Sequence, residues 1–126
     1  MTSETIKVSV TYGNTITFFL RMIGIAEESQ LRQKMFGLTE AEKAEKQYQL
    51  NVDMLADLSV QMPDGMFPNK PKELGPGTQP TYIENFSTPA EAVRAFFEEQ
   101  SVTKERTAYF AVNAYLVRLQ PEESFL

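Results

Sequence analysis

The chain has 126 residues, of which 42% are apolar and 23% charged, with 12 Lys and Arg against 17 Asp and Glu for a formal net charge of -5, and it contains no Cys, His or Trp. Absence of Cys excludes a disulfide framework and thiolate sites, and absence of His removes imidazole bases and ligands. The acidic balance, with no dense Lys/Arg cluster, gives no basic face for neutralising nucleic-acid phosphates. The length suits one domain that buries a core without covalent staples.

Taken in chain order, Met1–Thr5 is polar and precedes an alternating segment, not the apolar run of a signal peptide. No stretch is long and apolar enough for a transmembrane helix, so a cytoplasmic protein without membrane contact is expected. Ile6, Val8, Val10 and Tyr12 alternate with Lys7, Ser9 and Thr11. Ile16, Phe18 and Leu20 then alternate with Thr15, Thr17 and Phe19. Period two in two successive runs predicts two strands. Gly13-Asn14 between them suits a type II′ turn, with Gly supplying positive φ at the first central position. The region 6–21 is therefore a predicted β-hairpin with one buried face, covered by helices downstream.

Ala26, Leu31, Met35 and Phe36 predict a short amphipathic helix closed by Gly37 at the position after its C-cap. Thr39-Glu40-Ala41-Glu42 is a capping-box signature, so a long helix is predicted from Glu40 to Met62. Ala41, Ala44, Tyr48, Val52, Leu55 and Met62 form one stripe, and Leu50, Met54 and Leu58 a second beside it. Pro63 is the predicted stop. The region 63–82 holds five Pro and three Gly, and the connection 63–87 is expected to carry no regular element. Its apolar residues, Met66 and Phe67 among them, leave two readings: a strap over the core, or a partner-binding segment that orders on contact.

Ser87-Thr88-Pro89-Ala90-Glu91 predicts a helix start with Thr88 as N-cap, Pro89 at the first helical position and Glu91 closing a second capping box. That helix is expected to run to about Gln100, burying Ala92, Val93, Phe96 and Phe97. Thr103 is the expected cap of a last helix, from Lys104 to Leu119, with Ala108, Val112, Tyr115, Leu116 and Leu119 inward and Tyr109 and Phe110 widening that face. The region 120–126 is an expected tail whose Phe125 and Leu126 are able to dock. The fold class is thus α+β: one domain, 1–126, in which an N-terminal hairpin packs on three to four helices, with helices in 26–62, a Pro-rich connection in 63–87 and a helix pair in 88–119.

Chemistry is sparse. The Glu pairs 27-28, 98-99 and 122-123 are adjacent, and neighbours on a helix diverge by roughly 100°, so they do not share a site. Asp53 and Asp57 stand one turn apart but lack the Gly-bearing acidic loop of a calcium site, and a polar helix face accounts for them. No phosphate-binding glycine motif occurs, and no Ser or Thr has a His partner. The expectation is a protein that is not an enzyme and takes no metal or cofactor. Each of the pairs Phe18-Phe19, Phe96-Phe97 and Tyr109-Phe110 is expected to place one ring inward and leave the other for a flank. A Met- and Phe-lined groove from Met54, Met62, Met66, Phe67, Phe97, Tyr109 and Phe110 is the candidate partner-binding surface.

The order of elements carries a resemblance. Phe18-Phe19-Leu20-Arg21-Met22 ends a strand pair, Leu38-Thr39-Glu40-Ala41-Glu42-Lys43 opens a Tyr- and Asn-bearing helix, a Pro-rich break follows, and Thr88-Pro89-Ala90-Glu91-Ala92 precedes a final helix pair. In outline this is similar to bacteriophage tail assembly chaperones. The resemblance implies a mostly helical protein of the bacterial cytoplasm that binds the hydrophobic tape-measure protein while the tail tube polymerises around it. The Pro-rich segment after Met62 departs from that pattern, and no family site residue is carried over. Two other readings use the residues themselves. A small phage or mobile-element inhibitor of a host nuclease or defence complex would present Glu40, Glu42, Glu45, Asp53 and Asp57 on one acidic face. A self-associating subunit would pair the free edge of the hairpin with a second copy.

Overall fold

The two alternating runs form strands β1 (Thr5–Tyr12) and β2 (Asn14–Arg21) of a computed structural model that describes residues 4–66 and 86–120. They pair antiparallel, and the inward residues meet one another: Ile6 opposite Leu20, Val8 opposite Phe18, Val10 opposite Ile16. On the other face Ser9 and Thr17, and Thr11 and Thr15, join hydroxyl to hydroxyl at 2.8 Å. Gly13 has the expected positive φ, 82°, but Tyr12 pairs with Asn14 and leaves Gly13 alone at the apex, in place of a two-residue turn. The alternation also breaks at Phe19, which lies on the outer face and is nevertheless buried, with the Lys7 ammonium 5.8 Å from its ring centroid.

Helix α1 (Ile25–Phe36) follows, with Met35 its buried residue. Arg21 ties it to the sheet through two bonds to the Glu27 carboxylate, at 2.8 and 3.2 Å. Gly37 is the C-cap residue itself and has φ -91°, so the expected left-handed position after the cap is not used. Helix α2 (Glu40–Leu58) starts as predicted: the Thr39 hydroxyl accepts from Glu42 N–H at 3.2 Å and the Glu42 carboxylate accepts from Thr39 N–H at 3.0 Å. Its inner face is Val52, Met54, Leu55, Ala56 and Leu58, whereas Ala41 and Ala44, in the first two turns, are exposed.

The predicted helix to Met62 is corrected. At Ser59 the chain turns extended, with φ -67° and ψ 126°, and Ser59–Asp64 becomes strand β3, antiparallel to β2. The sheet order is β1-β2-β3, with β2 central and β3 at an edge. Pro63 sits within that edge strand, where a missing N–H interrupts no inner ladder, so it is not the helix stop. Of the Pro-rich connection, residues 67–85, including Phe67, lie outside the described residues, as do 121–126 with Phe125 and Leu126.

Helix α3 (Pro89–Phe97) has the predicted start, with the Thr88 hydroxyl accepting from Glu91 N–H at 3.2 Å. The Glu91 carboxylate accepts from Ser87 N–H, one residue before the cap, so the box is not reciprocal. Helix α4 (Val102–Arg118) is capped by Ser101, whose hydroxyl accepts from Lys104 N–H at 3.1 Å; Thr103 is already helical and its carbonyl accepts from the Thr107 hydroxyl. Among the described residues four helices thus pack with a three-stranded antiparallel sheet, α4 against β1, α2 against β2 and α3 against β3, an α+β fold.

Two tyrosines, Tyr115 buried and Tyr48 half-buried, tie the layers together. Tyr115 of α4, fully buried, donates to the Arg21 carbonyl at 2.6 Å, and Tyr48 of α2 donates to the Phe97 carbonyl at 2.8 Å. Burial pushes the Tyr115 hydroxyl up to about 12, and burial, helped by the Glu105 charge, does the same for Tyr48. A raised folded-state value means that the folded chain holds protons the unfolded chain has released. This stability is fully present below pH 10.0 and is lost as pH rises through about 12. Urea unfolding between pH 9.5 and 12 is expected to show stability falling by up to about 1.4 kcal/mol per pH unit for each tyrosine. Tyr115→Phe should reduce that slope; an unchanged slope would assign the alkaline loss to other groups.

Candidate partner-binding surface

The seven residues expected to line one groove separate. Met54, Met66 and Phe97 are core side chains, each at most 3% exposed, and Met62 is half-buried in β3. For Met54, Met66 and Phe97 the expectation is corrected. The α2 and α3 faces that carry Met54 and Phe97 close on the sheet, and Phe97 stacks on Phe18 at 6.4 Å between centroids. Tyr109 and Phe110 behave in the opposite way. Both rings stay outside, at 49% and 41% exposure, so this pair places neither ring in the core.

The reason is the geometry of α4. Successive residues turn by roughly 100°, which puts Thr107, Ala108, Ala111, Val112, Tyr115 and Leu116 on an inner face. Val102, Tyr109, Phe110 and Val117, spaced by seven, one and seven residues, then fall on the opposite side, and all four are exposed. Their contacts extend the patch. The Tyr109 and Phe110 rings meet edge-on at 5.2 Å between centroids, and Phe110 lies 6.1 Å from Tyr12 near the hairpin tip. Phe110 and Val117 also line, with Val8 and Ser9, a groove of about 430 Å³ that runs beside β1. From sequence, Tyr12 belongs to the alternating strand and Val102 and Val117 to no assigned face, although the seven-residue spacings of Val102 to Tyr109 and of Phe110 to Val117, off the core stripe, carry the signal.

This patch borders a sheet edge that no strand among the described residues covers. Met22 N–H donates to the Glu4 carbonyl, and with the uninterrupted register this assigns the even-numbered residues of β1 to the bonded pairs with β2. The backbone N–H and C=O groups of Thr5, Lys7, Ser9 and Thr11 therefore face outward. The Arg118 guanidinium, donating to the Lys7 carbonyl at 3.0 Å, satisfies one of these acceptors.

The acidic face is not a uniform one. Glu40 pairs with Lys43 at 3.4 Å, Glu42 with Lys46 at 3.7 Å, Asp53 with Arg94 at 2.6 Å and Asp57 with Arg21 at 3.5 Å. Glu45 alone of the five has no partner among the described residues. Hydrogen bonds from Thr39 hold the Glu42 carboxyl below its ordinary value. Burial pushes Asp53 up, but bonds from Arg94 and Gln49 outweigh it and leave that carboxyl lowered. Asp53 and Asp57 thus spend their oxygens on arginines of other elements, and among the described residues no group of three Asp or Glu converges as a metal cage would require.

A second groove, of about 510 Å³, opens between α2 and α4 and is lined by Lys43, Gln47, Asn51, Glu105, Arg106 and Tyr109 among others. No helix among the described residues is long and apolar enough to cross a membrane. Comparison with known protein families, with curated proteins and with solved structures finds nothing that matches this chain.

Proposed function

We propose that this chain is a non-enzymatic protein-binding protein whose receiving surface is the outer face of α4 with Tyr12. The observation that carries this reading is the run of exposed Tyr12, Phe110, Tyr109 and Val117 along one helix face and one strand edge. Contiguous exposed apolar surface beyond isolated side chains marks interaction sites, and aromatic anchors dominate their energetics. A hydrophobic or helical segment suits such a face. The tape-measure protein of a phage tail is the partner that the resemblance implies, and assembly chaperone in the bacterial cytoplasm is the corresponding role. The inhibitor reading has less support, since four of its five acidic residues are paired with Lys or Arg. Self-association is favoured by one specific feature, the edge of β1 that no strand among the described residues covers.

Tagged chain recovered from its host cells, with and without phage infection, is expected to bring down a tail or tape-measure protein. A host nuclease or defence complex would replace this reading with the inhibitor, and recovery of the chain alone would replace it with self-assembly. Tyr109→Asp with Phe110→Asp should weaken capture at least tenfold, each anchor contributing about 2 kcal/mol, while the melting temperature stays close to wild type. Full capture by the double variant would move the surface away from α4.

A further inference from the structure

Asn51 is the buried polar residue of α2 that the fold does not fully use. Its side chain is 3% exposed; Oδ1 accepts from Gln47 Nε2 at 3.1 Å, and Nδ2 makes no hydrogen bond among the described residues. Nδ2 keeps contact with solvent, since none of the buried side-chain nitrogens and oxygens described is both sealed and unpartnered. Asn51 lines the groove between α2 and α4, so its unpaired amide donor opens there. A nearly buried donor that lacks a partner is a recognition element for an acceptor brought from outside.

The rest of the lining narrows the ligand. Arg106 makes no ion pair or hydrogen bond among the described residues, and Lys43, held at 3.4 Å from Glu40, adds a second cation. The anion of the lining, Glu105, accepts from Gln100 Nε2 at 2.6 Å. Tyr109 closes one side of the groove and also belongs to the exposed aromatic run. An acceptor that satisfies an amide N–H and neutralises a guanidinium is an oxyanion, and an unmodified polypeptide supplies one as the carboxylate of Asp or Glu. The volume suits a side chain with its flanking backbone.

We infer that the α2–α4 groove receives an Asp or Glu side chain of the partner polypeptide, its carboxylate bound by Arg106 and the Asn51 amide while a neighbouring apolar side chain packs on Tyr109. The inference rests on the protein-binding reading and adds to it a polar specificity element. The apolar run on α4 supplies contact area, and the groove sets register, because an apolar segment without the acid leaves Asn51 and Arg106 unpaired.

Panning randomised decapeptides on the full chain, then measuring the enriched peptides by fluorescence anisotropy, tests this. Enriched sequences are expected to share an acidic residue at a fixed distance from an aromatic or aliphatic one, and replacing that acid by its amide should weaken binding at least tenfold. Arg106→Gln, at an exposed site, should weaken the acidic peptide similarly and leave the melting temperature unchanged. Arg106→Glu should shift enrichment toward Lys or Arg at the same position. Asn51→Leu should lower affinity for the acid against its amide without reversing sign. Peptides that are apolar throughout and indifferent to Arg106 and Asn51 would overturn the inference and leave the protein-binding reading standing. No enriched peptide would also overturn it, and host-cell capture of a partner then judges that reading separately.

Discussion

Phe97→Asp is expected to abolish the cooperative thermal transition of the protein. Phe97 is 2% exposed, stacks on Phe18 of the central strand, and meets Tyr48 edge-on at 6.2 Å and Phe96 at 4.8 Å between centroids. It joins α2, α3 and the sheet at one point. Deleting a buried phenyl ring costs about 3–5 kcal/mol, and an unpaired carboxylate in its place adds several more. Against a total stability of roughly 5–15 kcal/mol for a domain, that sum leaves no folded population at room temperature or a small one. Phe97→Leu is the companion measurement. It keeps an apolar side chain and should retain a single transition at a lower temperature. A Phe97→Asp variant that melts like the wild type would place this ring at the surface and overturn the packing of α3 on the sheet.

Which parts of this architecture were legible in the sequence follows from how local their causes are. The hairpin strands, the Thr39 capping box and the Thr88-Pro89 start are decided by residues within one or two turns of each other, and each appears as predicted. Met62 shows the limit. Its spacing from Leu55 suits a helix, but Ser59 to Asp64 finds a partner in β2, some forty residues earlier, and the ladder to that central strand outweighs a helical spacing. Phe19 is a similar case, since two-residue alternation assigns it outward and its burial is decided by tertiary neighbours.

The candidate site was harder to read because a wide apolar arc does not say which half meets the sheet. Met54 and Phe97 on the one hand, Tyr109 and Phe110 on the other, look equivalent in a helical projection. The position of α4 beside β1 puts the second pair outside. The acidic cluster of α2 fails for a related reason. The cations that neutralise Asp53 and Asp57, Arg94 and Arg21, come from α3 and β2 and are invisible to a reading of α2 alone. Asn51 had no sequence signal at all. An Asn within an apolar stripe reads as a polar interruption, and its unpaired amide exists only once α4 lies across from it.

Gly65→Ala should be far more damaging than Gly13→Ala, and the comparison separates its two causes. Both residues have positive φ, 82° at Gly13 and 85° at Gly65, where an L side chain costs about 1–2 kcal/mol. At Gly13 an added Cβ meets nothing within 4 Å, so this backbone term is the whole expected cost. At Gly65 the same Cβ falls well inside van der Waals contact with the Thr15 carbonyl oxygen and lies 3.2 Å from the Thr15 carbonyl carbon. Neither atom can swing away as a side chain would, because Thr15 is held in the hairpin ladder opposite Thr11. Relief requires the end of β3 to leave β2, which breaks the Thr17–Asp64 pairing and uncovers Met66, 2% exposed in the native fold. With the loss of that burial, about 2–5 kcal/mol for a methionine reduced to nothing, Gly65→Ala is expected to cost several times what Gly13→Ala does. Urea unfolding of the two variants decides it. Equal destabilisation would mean that the carbonyl of Thr15 yields freely, and that β3 is not clamped to the hairpin at this glycine.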